Sequence, residues 1–241
     1  MNRVNEAKSQ ATTGARRGTA LDLGRVMIAG HYILVLYGHW AVNDLRGSGS
    51  TDFIDLKFAP RGPIHFGRKP DGEQPTREEL RAFHEKHREL LNFPIFWIDE
   101  KIRSEIASAI DGVIQGRAYT CYACAICSNH MHLAIRKHKD DPLTIWNNLA
   151  EGVRRRLRLR FPEIISADHP VISARPYKVY LATPADVWGR IDYANDNPLK
   201  EGLPRQHWSF VKAYDNWPLH KTLGAARPQQ AAFSVRKNRS T

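Results

Sequence analysis

His130-Met131-His132 is the sharpest chemical feature of this sequence. On a β-strand, residues two apart share a face, so both imidazoles project the same way and can close on one cation. Met131 then faces the core, and Leu133 joins it only if the pleat breaks. The plain alternative is a pair of ordinary histidines on a solvated sheet face. Tyr193 and Asn197 form the second feature. On a helix they are four residues apart and therefore neighbours. At about 100° per residue, Val187, Ile191 and Ala194 fall on one narrow stripe, the buried one, and Tyr193 falls well off it. Its hydroxyl is left free for chemistry, and the Asn197 amide oxygen can join two imidazoles around a metal. The plain alternative is a rim tyrosine, with Asn197 ending the helix before Pro198.

The three cysteines, Cys121, Cys124 and Cys127, are spaced C-x-x-C-x-x-C. An odd count argues against a disulfide framework and fits a reducing compartment. On a strand from Ala118 to Cys127, Cys121 and Cys127 point one way and Cys124 the other. They cannot share one ion, and small buried hydrophobes are the expected role.

The elements that must position these residues are legible in pattern. His31 to Tyr37 is a β-branched and aromatic run, hence a strand. Gly38 to Pro75 is a long Gly- and Pro-rich connection. Thr76-Arg77-Glu78-Glu79 is a capping box opening a helix to about Leu91. Pro94 to Ile98 is a candidate short strand. Asp99 caps a helix whose Ile102, Ile106, Ala109, Ile110 and Val113 form one buried face. Ala118 to Cys127 and His130 to Arg136 make a hairpin turning at Ser128-Asn129. A helix with Trp146, Leu149 and Val153 follows, carrying Arg154, Arg155, Arg156, Arg158 and Arg160. Tyr177 to Leu181 is a further short strand. The last helix starts at Thr183 and Pro184 and is expected to stop near Asn197, because Pro198 disfavours helical geometry before it. This order reads as α+β: an antiparallel sheet with helices on one face, in a ferredoxin-like topology.

The chain has 241 residues, with 42% hydrophobic and 25% charged, so it can build a core and is not wholly disordered. No run approaches the ~18 apolar residues that span a bilayer, and Met1 to Thr19 has no hydrophobic signal core. A soluble cytoplasmic protein, with no membrane partner, is the expectation. Thirty-six Lys and Arg against 25 Asp and Glu give a net charge of +11. That excess points to a polyanion, most often nucleic acid. One domain is expected at 26–218, flanked by flexible basic segments at 1–25 and 219–241. Arg154, Arg155 and Arg158 are the best local candidates for DNA phosphates, with Lys200 just after the tyrosine helix and Arg46 in a Gly/Ser-rich loop as further ones.

His130-Met131-His132 resembles the histidine–hydrophobic–histidine motif of HUH nucleases. Tyr193-Ala194-Asn195-Asp196-Asn197-Pro198 is similar to the tyrosine motif of the REP-associated tyrosine transposases, relatives of single-strand insertion-sequence transposases. Gly38-His39-Trp40-Ala41-Val42-Asn43-Asp44 with Arg46-Gly47-Ser48, and the strand Tyr122-Ala123-Cys124-Ala125-Ile126, also resemble stretches of that family. The resemblance runs from about His31 to Trp217. Ala194 stands where the family usually has Ile, and Ser128-Asn129 where it often has Pro-Asp.

The resemblance implies an HUH nuclease fold and a transposase-like endonuclease and strand transferase acting on single-stranded, hairpin-forming DNA, in DNA transposition or the mobilisation of REP-type repeats. It implies that Tyr193 attacks the scissile phosphorus to form a 5′-phosphotyrosine link. His130, His132 and Asn197 would hold Mg²⁺ or Mn²⁺. It implies a bacterial cytoplasmic protein, monomeric or homodimeric. A phenol ionises near pH ~10 in water, so some group must take its proton, and the sequence names none. The alternatives are a domesticated, non-catalytic DNA-binding protein and a metal-dependent phosphohydrolase that uses water.

Overall fold

The computed structural model describes residues 27–39, 44–47, 69–89, 91–174 and 176–218. The expected end segments 1–25 and 219–241 lie outside these, as do residues 40–43 and 48 of the family-like stretch. No helix among the described residues is long and apolar enough to cross a membrane.

Four strands form one antiparallel sheet: β1 (Ala29–Val35), β2 (Cys121–Ile126), β3 (His130–Arg136) and β4 (Tyr177–Leu181), in the spatial order β2-β3-β1-β4. Four helices accompany them: α1 (Arg77–Arg88), α2 (Glu100–Arg117), α3 (Pro142–Arg160) and α4 (Pro184–Lys200). The hairpin β2–β3 lies beside β1, and the β1-to-β2 and β3-to-β4 connections run through helices. This is the ferredoxin-like α+β arrangement. Each long helix starts at a side-chain cap: Asp99 for α2, Asp141 for α3, and a Thr183–Asp186 capping box for α4. Such caps satisfy N–H groups that have no partner inside the helix.

The two sheet faces bury different residues. Met131, Leu133, Ile135, Leu34 and Cys124 pack with Ile106 and Ile110 of α2 and Leu149 and Val153 of α3. On the other face, small Ala123, Ala125 and Ala134 admit α4, which contributes Val187, Ile191 and Ala194. The alternation follows from the pleat. Leu133 accordingly faces the core beside Met131 with no break in the pleat, since the two share parity. The crossover helices α2 and α3 take one face, and α4 lies across the opposite one.

Three local expectations are corrected. Pro94 to Ile98 is not a strand: the carbonyls of Pro94 and Phe96 accept from His169 and His39 side chains instead of from a ladder. A register shift between Cys121 and Ala123 turns Cys121 onto the core face with Cys124, so Cys127 alone belongs to the histidine side. The last helix runs past Asn197 to Lys200, with Pro198 inside it. Pro198 is buried, and its carbonyl accepts from Glu201 and Leu203, which closes the final turn. Gly202, at φ +76°, provides the left-handed residue that this ending requires.

Candidate metal and tyrosine site

The strand pleat places His130 and His132 on the α4 face of the sheet. Their rings meet edge to face, with centroids 4.7 Å apart. Antiparallel pairing sets Ile33 opposite His132 and His31 opposite Ala134, so His31 of β1 is the diagonal neighbour of His132. The His31 and His132 rings lie nearly parallel, side by side, with centroids 5.2 Å apart and an interplanar angle of 14°. From above, Tyr193 sets its ring edge-on to both, 5.3 Å from His132 and 5.9 Å from His31. Three histidines and the tyrosine thus form one cluster between the sheet and α4.

The hairpin turn is anchored on three sides. Leu36 donates to the Asn129 carbonyl, Ile98 donates to that of Ser128, and Glu201 accepts from the Ser128 N–H (2.8 Å) and hydroxyl (2.5 Å). The Arg103 guanidinium, buried, braces the Ile126 and Ile98 carbonyls.

A relay fixes the proton on His130. The Phe96 carbonyl can only accept, so His39 donates to it from Nε2 at 2.8 Å, leaving His39 Nδ1 as an acceptor. The Asn129 amide nitrogen faces that Nδ1 at 3.4 Å, a long contact, and the Asn129 oxygen lies 2.8 Å from His130 Nδ1. His130 must therefore donate from Nδ1, and its Nε2 keeps a free lone pair. This is the ligand form of a histidine whose other nitrogen is held by a neighbouring acceptor.

Burial keeps the cluster neutral. It pushes His132 down to about 2, with His130 and His31 adding to the effect, and His31 down to about 4, with Arg190 adding. Burial also lowers His130, although the Glu201 carboxylate opposes the shift. Neutral imidazole is the form that binds metals.

The residues fit a divalent cation. One donor atom each from Cys127, His130 and His132 lie within 4.8 Å of one another. His132 is 2% exposed, and its Nε2 has no hydrogen-bond partner, a costly condition for a buried nitrogen. Burial pushes the Cys127 thiol up to about 12, which keeps it protonated and a weak donor until something displaces the proton. Asn197 donates from its amide nitrogen to the Tyr193 carbonyl at 2.6 Å. A carbonyl cannot donate, so the nitrogen must be the atom at that contact, and Oδ1 is the atom left over for another partner.

Two cations flank the tyrosine: Lys200 Nζ is 5.1 Å from the ring centroid and the Arg190 guanidinium 5.7 Å. The other basic candidates are placed differently. α3 lies on the opposite sheet face, so Arg154, Arg155 and Arg158 are not brought to Tyr193. Arg154 donates to the Pro170 and Ile172 carbonyls, and Arg158 donates twice to that of His169, while Arg155 is exposed. Arg46 is paired with buried Asp44 and donates to the His39 carbonyl, which puts it beside the relay.

His31, Asn129, Glu201 and Arg190 belong to the site without having been singled out as site residues, and Cys127, expected to be a small buried hydrophobe, lies beside the two histidines. His31 was visible only as the start of a strand. The signal available was its type, a histidine in an otherwise apolar run.

No family model matches this chain, and no curated protein does. Among solved structures, it is similar to a REP-associated tyrosine transposase bound to a REP hairpin, with a TM-score of 0.41 and 13% identity over 77% of each chain.

Proposed function

We propose that this chain is a metal-dependent, single-strand DNA endonuclease and strand transferase with Tyr193 as its nucleophile. One observation carries the reading. The Tyr193 ring stands edge-on to two buried neutral histidines, and each of these has an unpartnered nitrogen. A surface tyrosine with a merely structural role does not require that neighbourhood.

In this reading the Tyr193 hydroxyl oxygen bonds to the scissile phosphorus while the bond to the 3′ oxygen breaks. The phenol proton ends on the 3′ oxygen, giving a 5′-phosphotyrosine and a free 3′-OH. Splitting one difficult displacement into two preserves the phosphoester for rejoining without a nucleotide triphosphate. His130, His132 and Asn197 would hold Mg²⁺ or Mn²⁺, and such an ion polarises the phosphate oxygens and steadies the charge that builds on them. Lys200 and Arg190, both close to the ring, would attract the DNA backbone to the tyrosine. The net charge of +11 raises the encounter rate with any polyanion. Single-stranded DNA with a hairpin is the proposed partner.

The test is a denaturing gel with labelled single-stranded oligonucleotides and Mn²⁺. Wild-type protein is expected to cut and to migrate with covalently attached DNA, and Tyr193→Phe to bind but not cut. Cutting without attachment would replace this reading with a water-using hydrolase. Binding alone by the wild type would leave a DNA-binding protein.

A further inference from the structure

The hydrogen bond between His31 Nε2 and His132 Nδ1, 3.1 Å long, joins two rings that have no other hydrogen-bond partner. His31 is fully buried and His132 nearly so, and the leftover nitrogens are His31 Nδ1 and His132 Nε2. Burial keeps both rings neutral, so one proton sits in the bond between them and it has two settings. In the first, His31 donates to His132 Nδ1, and the second proton of the pair sits on His132 Nε2, where it blocks that nitrogen. In the second, His132 donates from Nδ1 to His31, and His132 Nε2 is a bare lone pair facing away from β1. Only the second can ligate a cation.

We infer that His31 is a positioning residue that admits the metal-ligating tautomer of His132, selected when a cation takes Nε2, by accepting a hydrogen bond from the His132 Nδ1–H. The inference rests on the proposed metal site and names the residue that sets it. His31 offers His132 an acceptor as Asn129 offers one to His130, but no carbonyl pins the far end: in this setting the His31 proton sits on its unpartnered Nδ1. In both cases an uncharged side chain, Asn129 from the turn just before β3 or His31 from β1, accepts a hydrogen bond from the Nδ1–H. The hydrogen bond and the near-parallel planes, 14° apart, also fix the direction in which Nε2 points. Because the His31 ring meets Tyr193 as well, one buried side chain orients both the ligand and the nucleophile. Without His31, a metal-bound His132 would carry a buried N–H with nothing to receive it.

Partners that orient ligating histidines change metal affinity by about 10- to 100-fold when removed. The experiment compares His31→Leu, which fills the space and cannot accept a proton, with His31→Gln, whose amide oxygen can. Free Mn²⁺ is followed by electron paramagnetic resonance, and melting temperature is recorded in EDTA. Mn²⁺ binding is expected to weaken by roughly 10- to 100-fold in His31→Leu and to stay within a few-fold of wild type in His31→Gln. Equal loss in both variants, or no loss in His31→Leu, overturns the inference. A second measurement uses wild-type protein alone, so it holds even if His31→Leu does not fold. Long-range ¹H–¹⁵N spectra of the Mg²⁺-loaded protein are expected to show His132 protonated at Nδ1, and protonation at Nε2 overturns the inference. If the wild type binds no Mn²⁺, the metal reading falls and this inference with it. If it binds and His31→Leu binds equally well, only the inference falls.

Discussion

Lowering the pH from 7 to 5 should destabilise this protein steeply, and His39 is a measurable part of the reason. His39 is fully buried and donates to the Phe96 carbonyl. Burial lowers it from 6.5 to about 4, with the backbone bond opposing the shift and His84, Arg46 and His130 adding to it. In the unfolded chain it titrates at its ordinary value. Between pH 6.5 and 4 the unfolded state therefore binds the extra proton, and stability falls as pH falls. At pH 5 the unfolded chain holds that proton almost fully and the folded chain hardly at all, a difference of about 2 kcal/mol for this one group. Below about 4 both states are protonated and the loss levels off. The assay is urea unfolding in EDTA at pH 7 and pH 5, for wild type and His39→Gln. The glutamine shifts stability by an offset at both pH values, but the loss between them should shrink by about 2 kcal/mol. The same pH loss in both proteins would refute the assignment of a depressed, neutral His39.

Asn129→Ala breaks the relay to His130 and is expected to weaken Mn²⁺ binding by roughly tenfold in calorimetry with little change in secondary structure. Arg154→Ala and Arg158→Ala remove bonds to the 169–172 carbonyls and are expected to cost on the order of 1–2 kcal/mol each in urea unfolding. Lys200→Ala with Arg190→Ala should weaken single-strand DNA binding and flatten its dependence on salt, because fewer counterions are released. Tyr193→Phe should change unfolding free energy by less than about 0.5 kcal/mol, since the ring contacts persist.

Local signals carried much of the fold. The capping residues Asp99 and Thr183, the period-two runs and the Ser128-Asn129 turn are all decided within a few residues, and the structure places elements there. What was not legible is what depends on distant pairing. His31 and His132 are 101 residues apart and meet only because β1 and β3 pair in one register. The partners of Arg154 and Arg158 lie in a loop beyond the helix, so a dense arginine run looked like a phosphate surface while two of its members brace the backbone. The bulge that moves Cys121 to the other face leaves no mark in residue type. The end of α4 is not legible from Pro198 alone, because the helix runs on past the missing N–H and Glu201 and Leu203 both donate to the Pro198 carbonyl.

Mass spectrometry of the protein–DNA adduct decides whether Tyr193 is the nucleophile. The protein is incubated with a 5′-labelled and a 3′-labelled single-stranded hairpin oligonucleotide in Mn²⁺, denatured and digested with protease. A nucleotide mass attached through a 5′ phosphate to the peptide containing Tyr193, and to no other of the chain's eight tyrosines, is the expected result. Attachment at another tyrosine, or cleaved DNA with no attachment, would contradict it.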